Sequence, residues 1–176
     1  MAAHAGSPAA AQDPPSLFAF GFGYCAAEIA AQLRAEGWRI AGSARSDDAA
    51  AKIAAAGGAV WRMDDGVIED AEAAFADVTH LLLSIPPDAD GDPALRAAGA
   101  ALTTAPRLEW IGYLSTTGVY GDCGGAWVDE TTPPRPTRER SRRRVDAEAA
   151  WAAFGAGNGV AVEIFRLGGI YGPGRG

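Results

Sequence analysis

Two rhythms of apolar residues alternate along the chain. Short apolar runs at 17–20, 38–43, 59–63, 78–84, 108–115 and 160–167 read as strands. The run 78–84 (VTHLLLS) is continuously apolar, as expected of a strand buried on both faces of a parallel sheet. Between these runs the spacing turns helical. Ala26, Ile29, Ala30 and Leu33 recur on one helix face, and Ser46 followed by Asp47 and Asp48 reads as an N-cap with acids in the first turn of a helix ending near Gly57 and Gly58. A short helix is expected at 68–75. Asp92 and Pro93 supply a cap and a first-position proline for a helix reaching Thr103. After a Gly- and Pro-rich loop at 118–136, a last helix is expected over 137–154. Six strands joined by helical crossovers predict an α/β fold, a doubly wound parallel sheet, because right-handed connections leave little else.

Composition narrows the reading. At 176 residues and 48% hydrophobic the chain can bury one core. Residues 1–15 lack the basic start and apolar run of a signal peptide and are expected to form a flexible leader to a single domain over 16–176. Fifteen basic against 22 acidic residues give a net charge of −7, which argues against nucleic acid or an anionic membrane as partner. No stretch approaches a membrane span. Cys25 and Cys123 show no framework spacing and fit reduced thiols of a cytoplasmic protein. Neither His4 nor His80 has neighbours at metal-ligand spacing, so no metal site is expected. There is no nucleophile elbow of a hydrolase.

Candidate chemistry starts at the first strand-to-helix turn. Gly21, Gly23 and Ala26 fit G-x-G-x-x-G/A: Gly21 permits the tight turn, Gly23 lets a pyrophosphate reach the backbone, and Ala26 lets the helix pack on the strand. Gly21, Phe22, Gly23, Tyr24 and Cys25 are therefore candidate cofactor contacts, the helix amides and dipole facing the phosphates. Glycine-rich turns also arise for packing alone. After the second strand, where an NAD site usually carries an acid, stand Ser43, Arg45 and Ser46. A guanidinium fork with hydroxyls suits a 2′-phosphate and predicts NADP over NAD; the plain alternative is a solvated loop arginine. After the third strand, Asp64 with Asp65 either accepts from an adenine amino group or caps the next helix.

Four segments at the strand ends together carry a resemblance: GFGYCA after strand one, Asp64-Asp65 after strand three, LSTTGVYGD (114–122) after strand five and RLGGIYGPG (166–174) after strand six. The chain resembles the extended and atypical short-chain dehydrogenase/reductases, the NAD-dependent epimerase/dehydratase group, and is most similar to a bacterial atypical branch of NAD(P)-dependent oxidoreductases. This implies a Rossmann-type NAD(P)-binding domain, with about six strands in the order 3-2-1-4-5-6. It places the catalytic hydroxyl at Thr116, with Ser115 and Thr117 beside it, hydrogen-bonding a substrate carbonyl or hydroxyl during hydride transfer. It places Ser84 and Pro86 against the adenosine and the nicotinamide ribose, and the backbone of 168–170 near the nicotinamide carboxamide.

The chain also departs from that family. The Tyr-x-x-x-Lys pair, anchored on Glu148, falls on Arg140 and Arg144, and the only lysine, Lys52, lies on the second helix. An arginine stays protonated and cannot tune a phenol for proton exchange. At 100° per residue Arg140, Arg144, Ala147, Trp151 and Phe154 share a stripe opposite Arg142. Arg144 is thus a candidate for the nicotinamide ribose and Arg140 for an anionic substrate group, unless both are solvated beyond the sheet edge. Thr116, Tyr120 and Asp122 remain as groups that could organise a proton-donating water.

The expected function is an NADP-binding oxidoreductase or epimerase-like protein acting on a small molecule, anionic or sugar-like. The alternative is a non-catalytic NADP(H)-binding sensor, and a weaker one an interaction module using the arginine-rich helix. The family continues past the glycine-rich stretch 172–176 into a substrate-binding portion, so that portion is expected to be missing, with an uncovered crevice wall and self-association into a homo-oligomer as consequences.

Overall fold

The computed structural model describes residues 13–64 and 66–175; the leader up to residue 12, with His4, and also Asp65 and Gly176 lie outside the described residues. Strands β1 (Ser16–Phe20), β2 (Arg39–Ala44), β3 (Ala59–Asp64), β4 (Val67–Ile68), β5 (His80–Leu83), β6 (Trp110–Thr116) and β7 (Ala161–Leu167) form one sheet in the order β4-β3-β2-β1-β5-β6-β7. Every neighbouring pair is parallel except β3 with β4. Without β4 this is the expected doubly wound order.

Alternation along β1 shows why both faces must be covered. Phe18 and Phe20 enter one core with Phe75, Leu81, Leu83, Ile111, Tyr113 and Trp151, beneath α3 (Ala71–Phe75), α4 (Pro93–Thr103) and α5 (Glu139–Asn158). Leu17 and Ala19 point the other way, joining Phe22, Ala26, Ala30, Ile40 and Ile53 under α1 (Tyr24–Ala35) and α2 (Asp47–Ala55). This period-two split is the signature of a strand with helices on both sides. The chain winds outward from β1 to β3, then returns past β1 to β5, so the strand order reverses between β1 and β5. Ligands in such sheets bind beyond the carboxyl ends at that reversal.

Three expectations are corrected. The helix at 68–75 begins only at Ala71, because Gly66, at φ +76°, turns Val67 and Ile68 back onto Asp64 and Met63 as an antiparallel hairpin. Asp64 is held in that hairpin and does not cap the helix; Asp70 does, accepting from Ala73 N at 3.4 Å. The last helix continues past Phe154 to Asn158, and the loop before it opens with a 3₁₀ turn at Thr117–Tyr120.

Candidate functional site

The glycine turn is pinned by its neighbours. Gly21 sits at φ +81°, and a Cβ there would come within 2.6 Å of Ile85 Cγ2, so the position excludes any side chain. Its carbonyl accepts from Ser84 Oγ at 3.0 Å and its amide lies 3.4 Å from Ser43 Oγ, tying the ends of β5 and β2 to the turn. Gly23 is the N-cap of α1, with no side-chain cap bond and no acid in the first turn. A Cβ at Gly23 would meet nothing within 4 Å. The orphan amides and positive dipole end of α1 therefore face open space. Ala26 is fully buried, allowing the close helix–strand approach. Phe22 is buried too, among the residues under α1 and α2, so it offers the turn backbone only.

In front of Gly23 lies a cavity of about 300 Å³. The turn contributes Gly23, Tyr24 and Cys25; the strand ends contribute Ser84, Leu114, Ser115, Thr116 and Leu167; α5 contributes Arg144; the segment after β7 contributes Gly168, Ile170 and Arg175. Two arginines and no carboxylate line it, on a chain of net charge −7. The lining is thus of opposite sign to the protein as a whole, which favours an anion.

Arg144 is half-buried and held from within: its Nη1 donates to the Leu114 carbonyl at 2.7 Å and to Tyr113 Oη at 3.4 Å, with its Cζ 5.7 Å from the Tyr113 ring centre. Tyr113 is fully buried, and burial pushes its phenol up to about 12, so it exchanges no proton near neutrality. Arg140 does not join Arg144, contrary to the expectation that both face the crevice. It is exposed and borders a separate recess with Gly118, Asp122 and Ser141. The buried stripe of α5 runs through Ser141, Ala147, Glu148, Trp151 and Gly155, which leaves Arg140 at its margin. Arg142 points outward and pairs with Glu139 at 3.3 Å.

Beneath the cavity lies a polar network that the sequence did not reveal. Glu148, 4% exposed, accepts from Arg166 Nη2 at 2.8 Å and Nε at 3.3 Å, and from the Ser115 hydroxyl at 2.5 Å. Arg166 also donates to Tyr120 Oη at 3.1 Å and lies over its ring. Ser115 is therefore committed to Glu148. Thr116 Oγ1 accepts from Gly118 N at 3.1 Å, leaving its proton free to donate into the cavity. Thr117 and Tyr120 border a different recess, on the β7 side with Arg166. The partners of Glu148 lie 33 residues before it and 18 after, so nothing local to the helix pointed to them.

At the far end of the crevice Arg45 is exposed just beyond β2. Ser46 caps α2, accepting from Ala49 N at 3.2 Å, and Asp47 of that cap pairs with Arg62 at the end of β3. Asp64 is exposed at the end of β3, and Pro86 is exposed outside the cavity lining.

A larger cavity, about 650 Å³, shares the wall of Tyr24, Cys25, Leu114 and Leu167. Leu33, Trp38, Leu82, Trp110 and Phe165 line it too, with Glu28 the one carboxylate and no arginine, so it offers mainly apolar burial and no grip on a phosphate. Among the described residues no helix is long and apolar enough to cross a membrane, and no three His, Cys, Asp or Glu side chains gather as a metal-holding group.

No family model matches the chain. It is similar to protein YeeZ of Escherichia coli K12, at 32% identity over 164 residues, 88% of this chain and 58% of that protein. A solved structure of a conserved protein of unknown function from Silicibacter pomeroyi is 45% identical, with a TM-score of 0.82 over 92% of this chain and 55% of that one. UDP-glucuronic acid 4-epimerase from Bacillus cereus, solved in complex with NAD, shares the fold at 18% identity, with a TM-score of 0.70 over 89% of this chain and 57% of that one. The chain thus spans little more than half the length of these relatives.

Proposed function

We propose that the chain belongs to the extended short-chain dehydrogenase/reductases, the NAD-dependent epimerase/dehydratase group, and holds a nicotinamide dinucleotide across the carboxyl ends of its strands, NADP in preference to NAD. One observation carries the reading: an uncapped helix N-terminus opens, over a glycine with free space in place of a side chain, into a cavity with two arginines and no acid. The NAD-bound B. cereus epimerase, of the same fold, supports a dinucleotide as the ligand. Arg45 at the end of β2 supports the 2′-phosphate preference.

A nicotinamide held there supplies hydride transfer. The chain's own part is to hold and orient. Arg144, fixed by the Leu114 carbonyl, has further N–H groups to offer a ribose hydroxyl, and Thr116 can donate to a substrate oxygen. A small anionic or sugar-like molecule is the substrate class proposed, in a cytoplasmic protein that self-associates. The second reading, a sensor that binds NADP(H) without turnover, is favoured by the proton inventory. On the family reading Arg140 and Arg144 stand at the Tyr and Lys positions, Ser115 is bonded to Glu148, and burial pushes the Tyr113 phenol up to about 12. Losing a general acid typically costs two to four powers of ten in rate.

Titrating NADP and NAD calorimetrically tests the preference. NADP should bind more tightly by about 1.5–3 kcal/mol through charge-assisted bonds to the extra phosphate, and Arg45→Ala should close the gap. Equal affinities in the wild type would remove the NADP assignment. Absorbance at the nicotinamide band with a panel of carbonyl compounds separates enzyme from sensor: slow or absent turnover with intact binding is expected.

A further inference from the structure

We propose that Arg175 clamps the diphosphate of the bound dinucleotide, closing over the open side of the glycine turn; this rests on the dinucleotide reading above. After β7 the chain doubles back. Gly172 N donates to the Arg175 carbonyl at 3.0 Å and Arg175 N to the Gly172 carbonyl at 2.9 Å, a tight turn around Pro173 and Gly174. That turn is seated on Tyr24, the first residue of α1: Gly172 is at φ +154°, and a Cβ there would lie 2.2 Å from Tyr24 Oη. The Arg175 guanidinium lies over the same ring, its Cζ 5.6 Å from the centre. Backbone pairing and the cation–π contact thus fix one cation at the first turn of α1.

Arg175 borders the same cavity as Gly23, Tyr24 and Cys25. A diphosphate resting on the orphan amides of α1 turns its outer oxygens away from the helix, and the guanidinium fork is the geometry that meets them in pairs. Arg175 is exposed, so the contact costs little desolvation. Arg144 approaches from α5 and is held by the end of β6, and Arg45 stands beyond β2, so the three arginines address different parts of one dinucleotide.

The experiment uses the full chain with NADP, NAD and ADP as titrants. The diphosphate is common to all three, so Arg175→Ala should weaken each about tenfold or more and leave the NADP to NAD ratio unchanged, whereas Arg45→Ala should lower that ratio. Arg175→Lys should recover part of the loss, and Arg175→Gln, which keeps a hydrogen-bonding amide without the charge, should not. Unchanged affinities in Arg175→Ala would overturn the clamp. So would a loss confined to NADP, which would move Arg175 to the 2′-phosphate, or full recovery by Arg175→Gln, which would make the role one of packing on Tyr24. If the wild type binds none of the titrants, the dinucleotide reading itself falls and the clamp with it.

Discussion

Glu148 holds the floor of the cavity, and removing it is the sharpest test of how that floor is built. Its carboxylate is 4% exposed and receives two guanidinium nitrogens of Arg166 and the Ser115 hydroxyl; the Arg166 side chain is itself only 18% exposed. Glu148→Ala leaves the partly buried Arg166 guanidinium, which also borders the recess on the β7 side, without its carboxylate and a buried hydroxyl without its acceptor. Breaking a buried pair from one side costs about 3–5 kcal/mol, because the remaining charge has lost its compensation. We expect a loss of about 3–4 kcal/mol, at the lower part of that range because Arg166 retains Tyr120 and some solvent. Replacing both partners, Glu148→Leu with Arg166→Met, removes the stranded charge along with the pair but still leaves the Ser115 hydroxyl without its acceptor, and should cost about 1–2 kcal/mol, less than the single variant. Urea unfolding followed by far-UV circular dichroism reads both, with the slope as the check that the unfolded reference has not changed. A loss below about 1 kcal/mol for Glu148→Ala, or a double variant worse than the single one, would refute the pairing argument.

The two glycines of the turn should separate stability from binding. Gly21→Ala, forced to φ +81° against Ile85, should lower stability by about 1–3 kcal/mol, whereas Gly23→Ala should melt like the wild type and bind dinucleotide more weakly, both read by thermal melts with and without NADP. Arg144→Ala should weaken NADP binding by about tenfold and Arg142→Ala, on the outward face, should not; equal losses would mean a general charge effect. Asp92 caps α4 from a buried position, and burial raises its carboxyl above the ordinary value against the opposing pull of the Leu95 and Ala94 amides. Because the folded state holds that proton more tightly, its contribution to stability is greatest below the unfolded value of about 3.8 and falls as pH rises through the raised one. Asp92→Asn keeps a capping oxygen and should remove that fall, which urea melts between pH 3 and 7 would show.

The legible parts of the chain were those with a period or a local rule. The β1–turn–α1 unit stood out because a continuous apolar run stops at Gly21 and helical spacing begins within five residues, and the cap residues Ser46 and Asp92 marked α2 and α4 where they occur. The strand β4 was invisible, since two residues carry no period and only Gly66 hinted at a turn. The helical wheel turned Arg144 inward but misplaced Arg140, because the wheel was weighted by apolar residues alone. Ser141 and Glu148 are buried on α5 as well, Glu148 with partners on other elements, and they shift the inward face by one residue. The motif made Phe22 a candidate cofactor contact, whereas its side chain lies in the core. Its burial under α1 and α2 comes from tertiary packing that the spacing does not encode.

The central claim is that a dinucleotide lies against the first turn of α1. Amide hydrogen exchange, with and without saturating NADPH, reads that place directly. The account predicts slowed exchange in peptides spanning 21–27 and 167–175, with little change in α4. Protection absent from both segments while NADPH is demonstrably bound would contradict it.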